Sequence, residues 1–101
     1  MLVFEETGIS GMGIRGMLSV RLTTDELRIE IIFLPWTLVQ VPLAQITSVM
    51  IHTRRLNPEV TFAYINHDDS YRTFSFASYT PPRWRDACQQ VGLRLREPDV
   101  V

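Results

Sequence analysis

One stretch of this chain carries a helical period, Thr80 to Leu93, and nearly everything before it alternates like strand. Trp84, Ala87, Cys88 and Val91 fall at i, i+3, i+4 and i+7 and form one apolar stripe. Arg83, Arg85, Asp86, Gln89 and Gln90 cover the rest of the surface. Thr80 stands where a side chain can cap the first turn, and Pro81 takes the first helical position, where a missing N–H costs nothing. Gly92 offers a left-handed residue beyond the last turn, and Leu93 the apolar contact that accompanies it. The pattern predicts a helix over about residues 80–92. A helix this short, headed by tryptophan, needs a concave apolar surface to receive it, and the preceding residues have the pattern of strands that build one.

Length and composition narrow the class. A chain of 101 residues is expected to form a single domain, with a core over about residues 1–93 and a tail over 94–101. Hydrophobic content of 46% and a net charge of −1 argue for a globular protein and against a disordered or nucleic-acid-binding tail. All ten cationic residues are arginine, which reads first as compositional bias. The lone cysteine excludes an internal disulfide and a cysteine-built zinc site. The opening Met-Leu-Val-Phe-Glu-Glu has no basic region and is not expected to act as a signal peptide, and the apolar run Ile31 to Leu34 falls far short of a membrane span. The expected setting is a reducing cytoplasm.

Met1 to Glu6 reads as a short first strand, and Thr7 to Gly16, with four of the five glycines, as a bent, bulged or loop segment. Leu18, Val20 and Leu22 alternate before the turn Thr23–Glu26, and Leu27, Ile29, Ile31 and Phe33 alternate after it. A four-residue turn sets Leu22 against Leu27, Val20 against Ile29 and Leu18 against Ile31; a slip of one residue would put that row in water. Short strands come next at Leu38–Val41 and Ile46–Arg55, the latter with Val49 and Ile51 on one face and Met50, His52 and Arg54 on the other. A second hairpin, Val60–Asn66 with Tyr71–Phe76, surrounds His67-Asp68-Asp69-Ser70. An even loop there places Phe74 and Phe76 beside Ala63 and Ile65 and leaves Phe62 and Tyr64 on the opposite face. A three-residue bulged loop puts all four aromatic rings on one face. The sequence leaves both open.

This order resembles the pleckstrin-homology-like (PH-like) fold, in its short bacterial PH and GRAM-type variants. The residues that carry the resemblance are Gly16–Thr23 followed by Asp25–Glu30, Val41–Val49, and Tyr71–Phe76 running into the helix with Trp84. It implies a mainly β fold: a barrel of six or seven antiparallel strands in two packed sheets, closed at one end by the C-terminal α-helix. Trp84, Cys88, Val91, Phe74 and Phe76 are the expected structural residues. The family implies a scaffold for binding and no activity. Its phosphoinositide-binding branch uses a basic cluster around the first hairpin loop, whereas Thr23-Thr24-Asp25-Glu26 is acidic here.

Candidate chemistry is sparse. Gly11, Gly13 and Gly16 match G-x-G-x-x-G, but the residues after Gly16 alternate like strand, where a dinucleotide site requires a helix. Arg21 and Arg28 fall opposite each other on the polar face of the first hairpin, an anion or partner site unless Glu30, Asp25 and Glu26 neutralise them. His52, Arg54 and Arg55 form a second basic rim, a place for anionic lipid or nucleic-acid contact unless they are strand-end charges guarding the barrel mouth. His52 and His67 do not make a metal site, and His67-Asp68-Asp69 offers too few oxygen ligands for a hard cation. Cys88, on the buried stripe, reads as a core residue. No nucleophile has its partners. The expectation is therefore a non-catalytic domain without cofactor, metal or nucleic acid, acting through protein–protein contacts and self-association into a homo-oligomer. Apolar residues on polar strand faces (Met17, Ile32, Met50 and, under the even loop, Phe62 and Tyr64) motivate it. Peripheral membrane recruitment through Arg21, Arg28, Arg54 and Arg55 is the alternative.

Overall fold

The computed structural model describes residues 1–34, 36–52 and 58–96. In chain order these form β1 (Leu2–Gly11), β2 (Ile14–Thr23), β3 (Glu26–Ile31), β4 (Thr37–Pro42), a 3-10 turn at Leu43–Gln45, β5 (Ile46–His52), β6 (Glu59–Ile65), β7 (Tyr71–Ala77), α1 (Pro81–Gln90) and β8 (Leu95–Arg96). The protein is mainly β with one C-terminal helix. Hydrogen bonding runs through the strands in the order β4-β3-β2-β1-β7-β6-β5-β8. Every neighbouring pair is antiparallel except β5 with β8.

The first hairpin forms in the register that its alternation demands: Leu18 faces Ile31, Val20 faces Ile29 and Leu22 faces Leu27. Thr23 Oγ1 closes the turn by accepting the N–H groups of Asp25 and Glu26 at 3.1 and 3.0 Å. In the second hairpin, Phe62 faces Phe74 and Val60 faces Phe76. The Asn66 N–H donates to Ser70 O at 2.8 Å, and Asp69 sits in the left-handed region at φ +64°. This is the three-residue bulged loop of the two possibilities, so Phe62, Tyr64, Phe74 and Phe76 all turn into the core.

Several expectations about the strands need correction. The first strand runs through Gly11 rather than stopping at Glu6, because register shifts between Thr7 and Gly11 absorb the glycines without ending the ladder. Among the described residues there are eight strands rather than six or seven, and one continuous hydrogen-bonded sheet replaces two packed sheets. The link is Ser10 and Gly11 of β1, which pair with Ala77 and Phe76 of β7. A Cβ on Gly11 would stand 2.8 Å from Ser75 O, so only glycine lets the two backbones approach. The sheet is not closed into a barrel, since β4 and β8 each keep an unpaired side among the described residues. The eighth strand comes from what the sequence reads as tail: Arg94–Arg96 turns back along β5, and the Val49 N–H donates to Arg94 O at 2.8 Å.

Core-facing residues of both halves of the sheet join the helix in a single buried cluster, so the sheet curls around one core. Trp84 sits at its centre, fully buried. It meets Phe4 edge-on at 4.8 Å between ring centroids, Phe76 at 5.3 Å and Phe62 at 6.1 Å. Ala87 and Cys88 are buried beside it, and Val91 is half-buried. The helix ends as its sequence prescribes: Gly92, at φ +77°, donates to Gln89 O, and the Leu93 N–H donates to Cys88 O, a Schellman closure.

Its start differs from expectation. The Thr80 side chain makes no capping bond and its Oγ1 is buried without a partner. Glu6 of β1 instead ties down the segment that leads into the helix and the indole of its first turn. Glu6 Oε1 accepts from Ser78 Oγ and from Trp84 Nε1, both at 2.7 Å, and Oε2 accepts the Tyr79 N–H at 2.9 Å. Ser78 Oγ in turn accepts the Thr80 N–H at 3.0 Å. A buried carboxylate is tolerated because its oxygens are saturated by donors.

Two substitutions test this joint by chemical denaturation. Trp84→Ala is expected to cost about 3–5 kcal/mol, the range for emptying a large aromatic site; a near-wild-type midpoint would refute the plug. Glu6→Gln keeps the shape but points an NH₂ group at a donor, and is expected to cost about 1.5–3 kcal/mol, the scale of a charge-assisted hydrogen bond.

Candidate functional site

The polar face of the first hairpin carries Arg21 and Arg28 directly opposite each other. Each is tied to a carboxylate. Arg21 Nε donates to Glu5 Oε2 at 2.6 Å, and this hydrogen bond raises the guanidinium pKa further above its ordinary value. Arg28 Nε lies 3.5 Å from Glu30 Oε1 without hydrogen-bond geometry. Glu30 is among the neutralising residues expected from the sequence; Glu5 is not, because nothing in the sequence fixes the register of β1. His52 stands at the end of β5, opposite Glu59 of β6 and separated from β2 along the sheet by β6, β7 and β1. Arg54 and Arg55 lie outside the described residues. Arg21, Arg28 and His52 therefore do not share one strand or one neighbouring pair of strands.

The glycine pattern at Gly11–Gly16 is a hairpin device. Met12 and Gly13, at φ +51° and +77°, form the two-residue turn between β1 and β2, with Gly11 facing Ile14. Gly16, at φ +67°, donates its N–H to Ser10 Oγ at 2.8 Å. In the second hairpin loop, Asp68 Oδ1 accepts from both the N–H and the hydroxyl of Ser70, which holds its carboxyl below the ordinary value. His67 Nδ1 lies 3.0 Å from Asn66 Oδ1. These polar groups are engaged in the turn itself.

The surface feature that sequence reading missed lies between β3 and β4. Phe33 continues the apolar alternation on paper, yet the ladder ends at Ile31, after which the Ile32 N–H donates to Met17 O at 2.7 Å. The Leu34 N–H then returns to Ile31 O at 3.2 Å. This tight turn forces Phe33 to φ +69°, a conformation that costs a non-glycine residue about 1–2 kcal/mol. Its side chain is 95% exposed. Trp36 is 61% exposed, and Leu34, Leu38 and Met17 are also exposed. From Ile31 to Val41 the chain has no charged residue. Beside the turn lies a groove of about 490 Å³ lined by Thr7, Gly8, Ser19, Glu30 and Ile31–Leu34. A signal for this was present in the sequence, where the apolar run is followed at once by Pro35-Trp36, and a proline cannot donate to a continuing ladder. By contrast, Phe62 and Tyr64, candidates for exposure under the even loop, are buried, and Ile32 and Met50 are half-buried.

Cys88 is fully buried in the core cluster, and desolvation pushes its thiol from 9.0 up to about 12. That is the opposite of what a nucleophilic thiol requires.

No protein-family model matches the chain, and no curated protein is significantly similar to it.

The thiol gives a pH prediction. Well below pH 9 it is neutral in both folded and unfolded chains and contributes no pH dependence. As pH rises from 9.0 towards 12, the unfolded chain ionises Cys88 while the folded chain cannot, so stability falls over that window. Denaturation of wild type and Cys88→Ala across mildly alkaline pH should show the steeper decline in wild type. Identical declines would place the thiol in contact with solvent.

Proposed function

We propose that this protein is a non-catalytic, cytoplasmic interaction domain of PH-like type, working through protein–protein contacts, self-association included, at the surface formed by Phe33, Leu34, Trp36 and Leu38. The PH-like part of the reading is supported by the strand order β4-β3-β2-β1-β7-β6-β5 followed by a helix whose tryptophan plugs the curled sheet. The observation that carries the function is Phe33: a large aromatic held in a strained backbone conformation and left almost wholly in solvent. Folding alone favours glycine or asparagine there. Strain kept at an exposed aromatic is a mark of a contact made elsewhere. Phe33 and Trp36 together present roughly 300 Å² of aromatic surface, enough to anchor an interface.

The uncharged run Ile31–Val41 also favours a second reading, in which the same tip seats in a bilayer interface, where tryptophan is preferred. Sedimentation with anionic vesicles separates the routes. Binding through the tip survives high salt, while binding through arginine is lost.

Phe33→Gly provides the direct test. It relieves the strain and should raise stability by about 1 kcal/mol while weakening association. Light scattering of wild type should show an apparent mass that rises with concentration above 11.7 kDa, with Phe33→Gly and Trp36→Ala remaining at the monomer mass. A wild type that stays monomeric and captures no partner lost on Phe33→Gly or Trp36→Ala substitution would overturn the reading.

A further inference from the structure

The outward face of the other half of the sheet holds a site of different chemistry. Along β6 and β7 the large buried residues Val60, Phe62, Tyr64, Phe74 and Phe76 alternate into the core, so Thr61, Ala63, Tyr71, Thr73 and Ser75 stand on the other face. Ser48 of β5 faces Ala63 in the register. Both are small and both are buried, although they stand on the outward face. Ser48 lines a trough of about 340 Å³ together with Thr47, Tyr71, Arg94 and Arg96. Leu95 packs against the core between the two arginines, so alternation along β8 sends both guanidinium groups to the trough side.

Unlike Arg21 and Arg28, neither Arg94 nor Arg96 is paired with a carboxylate among the described residues. Two cations roughly 7 Å apart along a strand repel each other over a floor of small residues. A dianion placed between them relieves that repulsion, whereas a monoanion satisfies only one. Thr47 Oγ1 donates to Ala63 O at 3.1 Å and is committed to the backbone. The hydroxyls of Ser48 and Tyr71 remain as donors lining the trough, and the Tyr71 ring forms a wall.

We propose that this trough binds a phosphate monoester, with Arg94 and Arg96 forking onto the phosphoryl oxygens, Ser48 donating from the floor and Tyr71 flanking the esterified group. A guanidinium matches such an oxyanion bidentately, and a phosphate monoester carries nearly two charges at neutral pH. The volume lies at the small end of ligand sites, which suits a single head group rather than an extended chain. The site shares no residue with the Phe33 surface and stands or falls without it.

The test is an NMR titration of the full chain at low salt with phenyl phosphate, inorganic phosphate and acetate as probes, alongside vesicles bearing a phosphomonoester head group. Phenyl phosphate should shift the Ser48, Tyr71 and Arg96 amides saturably, inorganic phosphate more weakly and acetate least. A stronger response to vesicles than to phenyl phosphate would assign the source of the phosphate to lipid, and the reverse to a small molecule or a phosphorylated side chain. Arg94→Ala with Arg96→Ala should weaken phenyl phosphate binding at least about tenfold, while Arg21→Ala leaves it unchanged. If the double substitution disturbs β8, Arg96→Lys serves instead: it retains the charge, loses the fork and should give an intermediate affinity. Equal responses to acetate and phenyl phosphate, or undiminished binding by the folded arginine variants, would overturn the proposal.

Discussion

The carboxylate of Glu6 is the point on which the fold's closure depends. It lies on the core-facing side of β1, where an unpaired charge would be prohibitive, and three donors from Ser78, Tyr79 and Trp84 converge on it. These partners lie more than seventy residues away in sequence, so the interaction joins the first strand to the first turn of the only helix among the described residues. It also sets the tryptophan ring: with Nε1 fixed on Glu6, the indole stands edge-on to Phe4, two residues earlier on the same strand, and to Phe76 and Phe62 across the core. Directional hydrogen bonding and apolar packing thus agree on one helix position. That agreement is what holds a curled sheet around its core without closing it into a barrel.

With the interior committed to packing, recognition is left to the rims and outward faces. There the same residue type has different fates according to its neighbours. Arg21 is neutralised because β1 brings Glu5 alongside it, and Arg28 because Glu30 stands two residues later on β3. Arg94 and Arg96 escape neutralisation among the described residues because the reversal at Gly92 lays them along β5, beside hydroxyls instead of carboxylates. The apolar tip at Phe33 and the basic trough at Arg94 and Arg96 belong to opposite ends of the strand order, one next to edge strand β4 and the other on edge strand β8.

Local pattern was enough wherever a single pairing decided the outcome. The β2–β3 register was legible because any other register exposes a row of six aliphatic residues. The helix and its glycine stop were legible because periodicity and capping chemistry are local. The β6–β7 register was not, since two loop geometries fit the same residues, and Asp69 adopting a left-handed conformation decided between them. Phe33 was misleading for the same reason in reverse. It continues the alternation, but a turn between Ile31 and Leu34 ended the ladder before it. Thr80 looked like a cap but makes no capping bond, and the segment entering the helix is held instead by a carboxylate from the far end of the chain.

Residue order alone thus establishes a mainly β protein with one terminal helix, the apolar row of its first hairpin, the burial of Trp84 and Cys88, and the residue at which the helix stops. All of these arise from interactions between residues close in the chain. Other features appear only once the chain is folded: the strands among the described residues form one open sheet of eight, Glu6 anchors the helix, Arg21 is paired while Arg94 and Arg96 line a trough, and Phe33 faces solvent. Each of those depends on which distant strand arrives alongside, and periodicity within a segment contains no information about its neighbour.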